Sequence, residues 1–389
     1  MSKVTAVSWV SLEQNDKENY MKPLVFSVSS VEKIEYHIQS VRQDGLTPTL
    51  AIVFSSVVHN LTEVGAAFAK FNIEVFGAST SGEITNDEVH ERSIAVMLLD
   101  ISRDAYRLNV FDGKGKTSNQ VGQSVAEWAE TVYDDPAFMV ISAGLRADGE
   151  QIVKGIIYTM ERQVPLFGGV AGDDLRREET FVFNASQVIA NGVLALIFDQ
   201  NAIELQGVAI SGWKGIGTPK TITKAEGNIV YRIDNEPAID VYNKYLNLGD
   251  DYNLAAEYPI RLIRDDGSSV MRAVRRVNED KSIVFAGTVP EGAKVKFSMA
   301  PGFEVIEHTL EHMSEFSKQN PRSDAIVLFS CKGRHLALGP MVDDEISGIR
   351  KLWKVPLVGF FTYGEIGPGP QGQCDFHNHT VVPVLIREK

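Results

Sequence analysis

GFFTYGEIGPGP, residues 359–370, lies near the end of the chain, and GASTSGEI, residues 77–84, repeats part of its wording. Both stretches read Gly, two residues, Thr, one residue and then Gly-Glu-Ile. We call residues 77–84 the first phrase and residues 359–366 the last phrase. A short apolar run that is typical of a buried strand leads into each of them. Repeated wording in a repeated setting indicates that two parts of the chain share one fold.

Each phrase belongs to a longer unit of strand, helix, strand, phrase and closing strand. The first unit runs from AIVFSS (51–56) to SIAVMLLD (93–100), and the last runs from AIVLFSC (325–331) to TVVPVLI (380–386). A weaker middle copy carries VPLFGGVAGDD, residues 164–174, which we call the middle phrase. Asp173 takes the place of Glu in that alignment. Units of this kind predict mixed sheets with right-handed crossovers.

The predicted fold class is α/β to α+β, in two domains with mixed sheets built from repeated strand–helix–strand units. Two units fill residues 1–200, the predicted first domain, and one unit ends the predicted second domain, residues 201–389. Residues 201–300 instead alternate Gly-rich turns with short strands. That stretch predicts an antiparallel α+β segment that completes the second domain.

Composition limits the classes of function. The 389 residues are 44% hydrophobic and 23% charged, as in an ordinary soluble globular protein. The net charge is −13 without a basic cluster, so we expect neither nucleic acid nor an anionic membrane as a partner. The apolar runs are too short to cross a bilayer and no secretory signal is visible, so we expect no membrane insertion. Two cysteines, Cys331 and Cys374, favour a reducing cytoplasm.

The residue types of the phrase suggest a binding loop. Glycine at a strand end permits a left-handed turn or close backbone approach, while Thr and Glu offer a hydroxyl and a carboxylate. Loops at the carboxyl ends of strands bind ligands in open α/β sheets. Two such loops facing each other across a cleft would bind a small molecule. A capped turn is the alternative for the glycines, and both interpretations remain open for Glu83 and Glu365.

The chain resembles FIST proteins in VFGASTSGEI, PLFGGVAGDD, FSCKGRHLALG, PLVGFFTYGEIGP and FHNHT. FIST proteins are bacterial sensory modules with two domains. The resemblance implies a FIST N-like domain over 1–200, a FIST C-like domain over 201–389, and binding of a small ligand in signal transduction without catalysis. The chain is also similar to the nitric-oxide-sensing NosP group. That similarity implies a haem cofactor and a partner histidine kinase or cyclic-di-GMP enzyme.

The resemblance places the ligand-binding residues at the strand ends of the three units. They are Gly77, Thr80, Gly82 and Glu83 in the first unit, Arg146 and Asp148 in the middle unit, and Cys331, Arg334, Thr362, Gly364, Glu365, His377 and Asn378 in the last unit. The alternative function is an enzyme that acts on a small polar metabolite through Glu83, Glu365 or Cys331.

His335 is the predicted iron ligand if the protein binds haem, because it follows a strand and has Leu336 and Leu338 beside it. Haem iron needs an axial side chain, here within a largely apolar pocket; an ordinary turn histidine is the alternative. We expect His335→Ala to lose the Soret band that the wild type gains with haemin, in absorption spectra of the ferrous and nitric-oxide-bound forms.

An unchanged spectrum and affinity in His335→Ala would remove this residue as the iron ligand. His59, His377 and His379 would then be replaced in turn. If none of these substitutions matters, a metabolite sensor is the better interpretation.

Overall fold

The computed structural model describes residues 21–145, 147–248, 255, 258–299 and 302–389. The helices are α1 (Val31–Gln43), α2 (Leu61–Ala69), α3 (Ser118–Val132), α4 (Gly149–Met160), α5 (Ala238–Leu246), α6 (Phe303–Gln319), α7 (Lys332–Leu338) and α8 (Val342–Trp353). No helix among these residues is long and apolar enough to span a membrane.

The strands up to residue 207 are β1 (Lys22–Val28), β2 (Leu50–Ser55), β3 (Glu74–Ser79), β4 (Glu83–Thr85), β5 (Glu88–His90), β6 (Ile94–Asp100), β7 (Tyr106–Asp112), β8 (Pro136–Ala143), β9 (Leu166–Val170), β10 (Val182–Phe183), β11 (Val188–Ile189), β12 (Gly192–Asp199) and β13 (Ile203–Gly207). The later strands are β14 (Lys214–Glu226), β15 (Ile229–Ile233), β16 (Glu236–Pro237), β17 (Ile260–Ile263), β18 (Ser269–Arg272), β19 (Val274–Val277), β20 (Ile283–Phe285), β21 (Lys294–Met299), β22 (Ala325–Cys331), β23 (Leu357–Thr362), β24 (Glu365–Pro368), β25 (Cys374–His377) and β26 (Val381–Glu388).

Three six-stranded sheets follow one plan. Their strand orders are β1-β6-β2-β3-β10-β11, β7-β12-β8-β9-β24-β25 and β13-β26-β22-β23-β4-β5. In each sheet the two inner strands are parallel and joined by a helical connection, and every other pairing is antiparallel. The predicted fold class, α/β to α+β in two domains with mixed sheets from repeated strand–helix–strand units, is confirmed.

The repeats are longer than the sequence predicted. Each begins with an additional edge strand and helix: β1 and α1, β7 and α3, or β13 and α6. The first repeat spans residues 22–100, the second 106–199 and the third 203–388. Between β13 and α6 the third repeat is interrupted by residues 214–299, whose described part forms an antiparallel sheet that packs with α5. We call residues 214–299 the inserted domain, and its antiparallel α+β character is as predicted.

The three phrases carry the chain from one sheet into the next. After β3 of the first sheet the chain enters the third sheet as β4, and after β23 of the third sheet it enters the second as β24. After β9 of the second sheet it enters the first as β10. The exchange is therefore cyclic, and each sheet is completed by a hairpin from another repeat.

One central core lies between the inner faces of the three sheets. Phe54, Phe329 and Phe360 meet there, with ring centroids 4.5–6.4 Å apart. Alternate residues of the same strands point outward, where each sheet packs under its own helices. The cyclic arrangement thus buries both faces of all three sheets, which explains why their inner strands read as continuous apolar runs.

The first glycine of each phrase is required by the strand beside it. A Cβ atom on Gly359 would lie 2.4 Å from the backbone oxygen of Leu328, and one on Gly168 would lie 1.7 Å from that of Val140. Across the exchanged strand, Gly359 pairs with Ile84, Gly168 with Ile366 and Gly77 with Phe183. Glycine therefore allows close approach where the sheets exchange strands.

We expect Gly359→Ala to lower the free energy of unfolding by about 1–3 kcal/mol, because the new methyl group meets backbone that cannot move aside alone. Urea unfolding followed by circular dichroism measures the change. Gly369→Ala is the matched control, since its Cβ would have no neighbour nearer than 3.9 Å. Equal stability of the two variants would contradict the steric role of Gly359.

Candidate functional site

The three phrases bind one another through backbone hydrogen bonds at one end of the central core. The first and last phrases are joined by Ser81 N–H to Phe361 O at 3.2 Å and Phe361 N–H to Gly82 O at 2.9 Å. The predicted proximity of these two phrases is confirmed. Val170 bonds to the last phrase in the same pattern, through Tyr363 N–H at 3.0 Å and Gly364 O at 2.8 Å.

The third contact closes the ring. Gly172 N–H donates to Ser79 O at 2.9 Å, and Ser79 N–H donates to Phe181 O at 2.9 Å. We call the region where the three phrases meet the junction; it comprises residues 79–83, 170–174 and 361–365. No phrase can shift without breaking backbone hydrogen bonds to the other two.

The alignment of Asp173 with Glu83 and Glu365 is wrong. Glu83 pairs with Phe360 and Glu365 pairs with Gly169, each one residue after the first glycine of a phrase. The residue that pairs with Ala78 at the equivalent point is Val182. Residues 173–180 form an additional loop between Gly172 and Phe181, and this insertion hid the true register from the sequence comparison.

The carboxyl groups of Glu83 and Glu365 sit in matching hydrogen-bond sets. Thr80 Oγ1 donates to one oxygen of Glu83, while Ser93 donates to the other from N–H at 3.0 Å and Oγ at 2.8 Å. In the same way, Thr362 Oγ1 donates to one oxygen of Glu365, and Thr380 Oγ1 donates to the other at 2.7 Å. Both glutamates are fully buried.

Burial raises the pKa of Glu83 and of Glu365 to about 7, although hydroxyl donors lower each value. Val182, the residue equivalent to the two glutamates, packs in the central core. The side chains of Glu83 and Glu365 therefore lie on the inward face of their sheets. The predicted cleft between the phrases is wrong for the described residues, because the phrases bond directly to each other and both carboxyls are enclosed.

The loop that follows the middle phrase is held in a strained conformation against the junction. Asp174, Leu175 and Arg177 have φ values of 55°, 62° and 56°, in the left-handed region. Tyr363 holds the loop, because its hydroxyl donates to Asp173 and accepts from Leu175 N–H at 3.0 Å. Ser56 Oγ donates to Asp174 Oδ2 at 2.7 Å. Strain of this kind persists only where surrounding contacts enforce it.

Lys332 and His335, on α7, form the polar group on the outer side of the junction. Lys332 Nζ lies 3.0 Å from His335 Nδ1 and 5.5 Å from the ring centroid of Phe361. The His335 ring stacks on Phe361 with centroids 4.0 Å apart. Burial lowers the pKa of His335 to about 4 and also lowers the pKa of Lys332. His335 is therefore neutral at pH 7.

Lys332 is a buried amine without a carboxylate partner. Lys332 is only 8% exposed. Its Nζ atom contacts His335, and no carboxylate oxygen of the described residues lies within 4 Å of it. Glu91, Asp174 and Glu83 act on it from farther away and favour its charged form. A buried ammonium group with a single neutral acceptor is costly, so Lys332 is the strongest candidate beside the junction for contact with a ligand.

Other predicted site residues have structural partners. Cys331 is 5% exposed beside Glu365, and burial raises the pKa of its thiol. Arg334 is fully buried and pairs with Glu345, and its remaining N–H groups donate to Ser211 O, His379 O and Thr309 Oγ1. The five N–H groups of Arg334 thus all have protein acceptors. Arg146 lies outside the described residues.

Asp148, His377 and Asn378 lie toward the inserted domain, although His377 also pairs with Glu365 of the junction. Asp148 caps α4 by accepting from Gln151 N–H at 3.1 Å. Asn378 Oδ1 accepts from Ala273 N–H of the inserted domain at 3.1 Å. His377 is buried, Nε2 lies 2.9 Å from Gly367 O, and burial lowers its pKa to about 4. The structure therefore does not gather all predicted site residues into one place.

The described residues do not fit a haem at His335. One ring face is stacked on Phe361, and Nδ1 contacts Lys332. Cavities of about 70 and 20 Å³ are present elsewhere in the described part of the chain, lined neither by His335 nor by a phrase. Ligand pockets are usually about 300–1,000 Å³. Among the described residues, no group of three or more His, Cys, Asp or Glu side chains could hold a metal ion.

Sequence reasoning missed the residues that give the junction its chemistry: Lys332, Tyr363, Asp174 and Ser56. Lys332 stands inside the quoted stretch CKGRH, directly after a buried strand. Tyr363 is the variable residue between Thr and Gly of the last phrase. Only their positions beside strand ends and phrases could have indicated these residues, because the sequence of one repeat does not show its contacts with another repeat.

Comparison with protein families matches two domains in succession. The FIST N domain matches residues 49–236, and the FIST C domain matches residues 238–368. These ranges contain the three phrases, α7 and the inserted domain.

Among curated proteins, the chain is similar to several that are described only as uncharacterized. The protein Mb0898c of Mycobacterium bovis is 25% identical over 236 residues, covering 56% of this chain and 59% of that protein. MJ1623 of Methanocaldococcus jannaschii is 22% identical over 301 residues, covering 69% of this chain and 56% of that protein. The matched region thus spans less than two thirds of the length of these relatives.

We expect the wild type to lose stability as pH rises from about 4.5 to about 7. Each folded-state pKa is raised above the ordinary 4.5, so the folded protein keeps a proton that the unfolded chain releases in this window. Each glutamate would contribute on the order of 3 kcal/mol. Urea unfolding at several pH values should show a smaller loss in Glu83→Gln/Glu365→Gln, whose amides do not titrate.

Glu127→Gln, on the exposed face of α3, is the control and should keep the pH dependence of the wild type. If the double variant shows the same slope as the wild type between pH 5 and 8, the buried glutamates do not titrate in this range.

Proposed function

The chain belongs to the FIST family, whose domains are sensory domains for small ligands in signalling, and from this we propose that it is a sensor that binds its ligand at the Lys332 side of the junction. The observation that carries the proposal is Lys332 itself. It is a nearly buried amine that lacks an ion-pair partner among the described residues, at the point where repeats bind each other.

The location suits signal transmission. Phe361, under the side chains of Lys332 and His335, bonds through its backbone to Ser81 and Gly82 of the first repeat. A ligand that moves α7 or the strained loop would change contacts in all three repeats. A ligand can shift such an equilibrium only by binding one arrangement more tightly than the other.

The charges around Lys332 restrict the ligand. Glu91, Asp174 and Glu83 are close enough to raise the pKa of Lys332, so the surroundings are acidic. An anionic ligand would be repelled by these three acidic side chains. The proposed ligand is therefore a small, uncharged polar molecule that accepts a hydrogen bond from Nζ.

The enzyme alternative through Glu83, Glu365 or Cys331 has less support. All three side chains are 5% exposed or less, and the carboxyl groups are hydrogen-bonded within the junction. A thiol whose pKa is raised by burial is a poor nucleophile at neutral pH. Substrate turnover that is lost in Glu365→Gln would favour the enzyme instead.

A separate and more specific proposal is haem-based sensing of nitric oxide with a partner histidine kinase or cyclic-di-GMP enzyme, with an iron ligand other than His335. This proposal is supported by the similarity to the NosP group in sequence. A partner that responds to ligand is in keeping with a sensory family.

We expect a thermal-unfolding screen of small uncharged metabolites to yield a compound that raises the Tm of the wild type. Lys332→Met should bind that compound at least about tenfold more weakly, which corresponds to about 1.4 kcal/mol, because it loses the donor. Isothermal titration calorimetry measures the affinity.

Lys220→Met is the control, because Lys220 is also partly buried but already pairs with Asp234 at 3.3 Å. Equal affinity of the wild type and Lys332→Met for every compound found would refute the proposed site.

A further inference from the structure

We propose that Lys332 binds a carbonyl compound covalently, as a reversible imine with an uncharged aldehyde or ketone. This inference rests on the proposed function, because it specifies the chemistry of the same site. It depends on three observations about the Nζ atom: its hydrogen-bond partner, its isolation from carboxylates and the charge of its surroundings.

The only hydrogen-bond partner of Nζ in the described chain is a neutral base. His335 Nδ1 lies 3.0 Å away, and the imidazole is fixed by stacking on Phe361. Nδ1 is placed to relay a proton between the nitrogen and the carbonyl oxygen during the reaction, although its lowered pKa makes it a weak base. A lysine in a desolvated site is activated as a nucleophile.

Two partly buried lysines are paired with anions. Lys220 lies 3.3 Å from Asp234 and 2.9 Å from the hydroxyl of Tyr245, and Lys154 lies 2.7 Å from Glu150. Such pairs hold the amine in its protonated form, in which it cannot attack a carbonyl. Lys332 lacks such a pair in the described structure, and burial lowers its pKa.

The surroundings favour an imine over other amine products. A protonated imine keeps the positive charge that Glu91, Asp174 and Glu83 favour at this position. A carbamate would place a negative charge there, and an anionic oxo acid would be repelled on approach. Leu336, which follows Lys332 by one helical turn, is 61% exposed and offers an apolar surface for the rest of an aldehyde.

The reaction is balanced without a further reagent. The free amine of Lys332 attacks the carbonyl carbon, a carbon–nitrogen bond forms, and the proton passes through His335 to the carbonyl oxygen. The carbinolamine nitrogen then gives its remaining proton through His335 to the hydroxyl group, which leaves as water, and the imine can take up a proton from solvent. The product is an imine, and water reverses the reaction.

Butanal with sodium cyanoborohydride tests the inference on the full-length protein, because the reductant converts the imine into a stable secondary amine. Peptide mass spectrometry compares labelling rates within one sample. At pH 7 we expect Lys332 to be labelled several-fold faster than exposed Lys351 and than paired Lys220. Pyruvate, an anionic carbonyl probe, should label Lys332 more slowly than butanal does.

Two variants separate the roles. Lys332→Arg keeps the charge and should abolish the fast labelling at position 332, whereas Lys220→Arg should leave the labelling of Lys332 unchanged. His335→Phe keeps the stacking on Phe361 but removes the base, so it should slow labelling of Lys332 and alter its pH profile.

Labelling of Lys332 no faster than that of Lys351 would overturn the imine. If Lys332→Met still weakens binding of an uncharged compound in calorimetry, the proposed site stands and only its covalent chemistry falls. If neither effect is seen, both proposals fall.

Discussion

The fold depends on the exchange of strands among three sheets. Each phrase leaves the edge of its own sheet and pairs with the inner strand of another, so that the edge of every sheet is covered by a different repeat. Unpaired strand edges expose backbone groups that invite aggregation, and the cyclic exchange removes this hazard on one side of each sheet. It also makes the three repeats a single cooperative body, in which the second domain supplies strands to the first and receives strands from it.

The exchange explains why polar chemistry gathers at the junction. Where the chain passes from one sheet to another, buried backbone and hydroxyl groups need hydrogen-bond partners in the interior. Thr80 and Ser93 around Glu83, and Thr362 and Thr380 around Glu365, satisfy one another in closed sets. Lys332 differs, because its amine has one neutral acceptor and carboxylates only at a distance. The junction thus combines satisfied carboxyl groups, which specify the crossing, with the hydroxyl of Ser81, unpaired among the described residues, and, on its outer side, the incompletely paired amine of Lys332.

The inserted domain is fastened to the repeats by charged contacts. Arg264 forms a bidentate pair with Asp375 at 2.7 Å, and buried Arg272 lies 3.2 Å from Glu150 while donating to Phe376 O at 2.9 Å. Buried ion pairs of this kind contribute little net stability, but breaking one partner is costly, so they fix orientation. They cover the strand end of the second repeat, whereas the equivalent strand end of the third repeat carries Lys332 and His335.

The sequence by itself determined the repeating unit, the mixed sheets and the antiparallel middle, because apolar periodicity and glycine placement are local signals that each repeat carries in full. It also singled out Glu83 and Glu365, since both stand in identical wording. Only the tertiary structure decided that Val182, and not Asp173, is their equivalent, because the additional loop of residues 173–180 is recognised only from strand register. The isolation of Lys332 was likewise invisible in the sequence. Whether an amine has a carboxylate partner depends on side chains from three repeats, which are brought together by the exchange of strands.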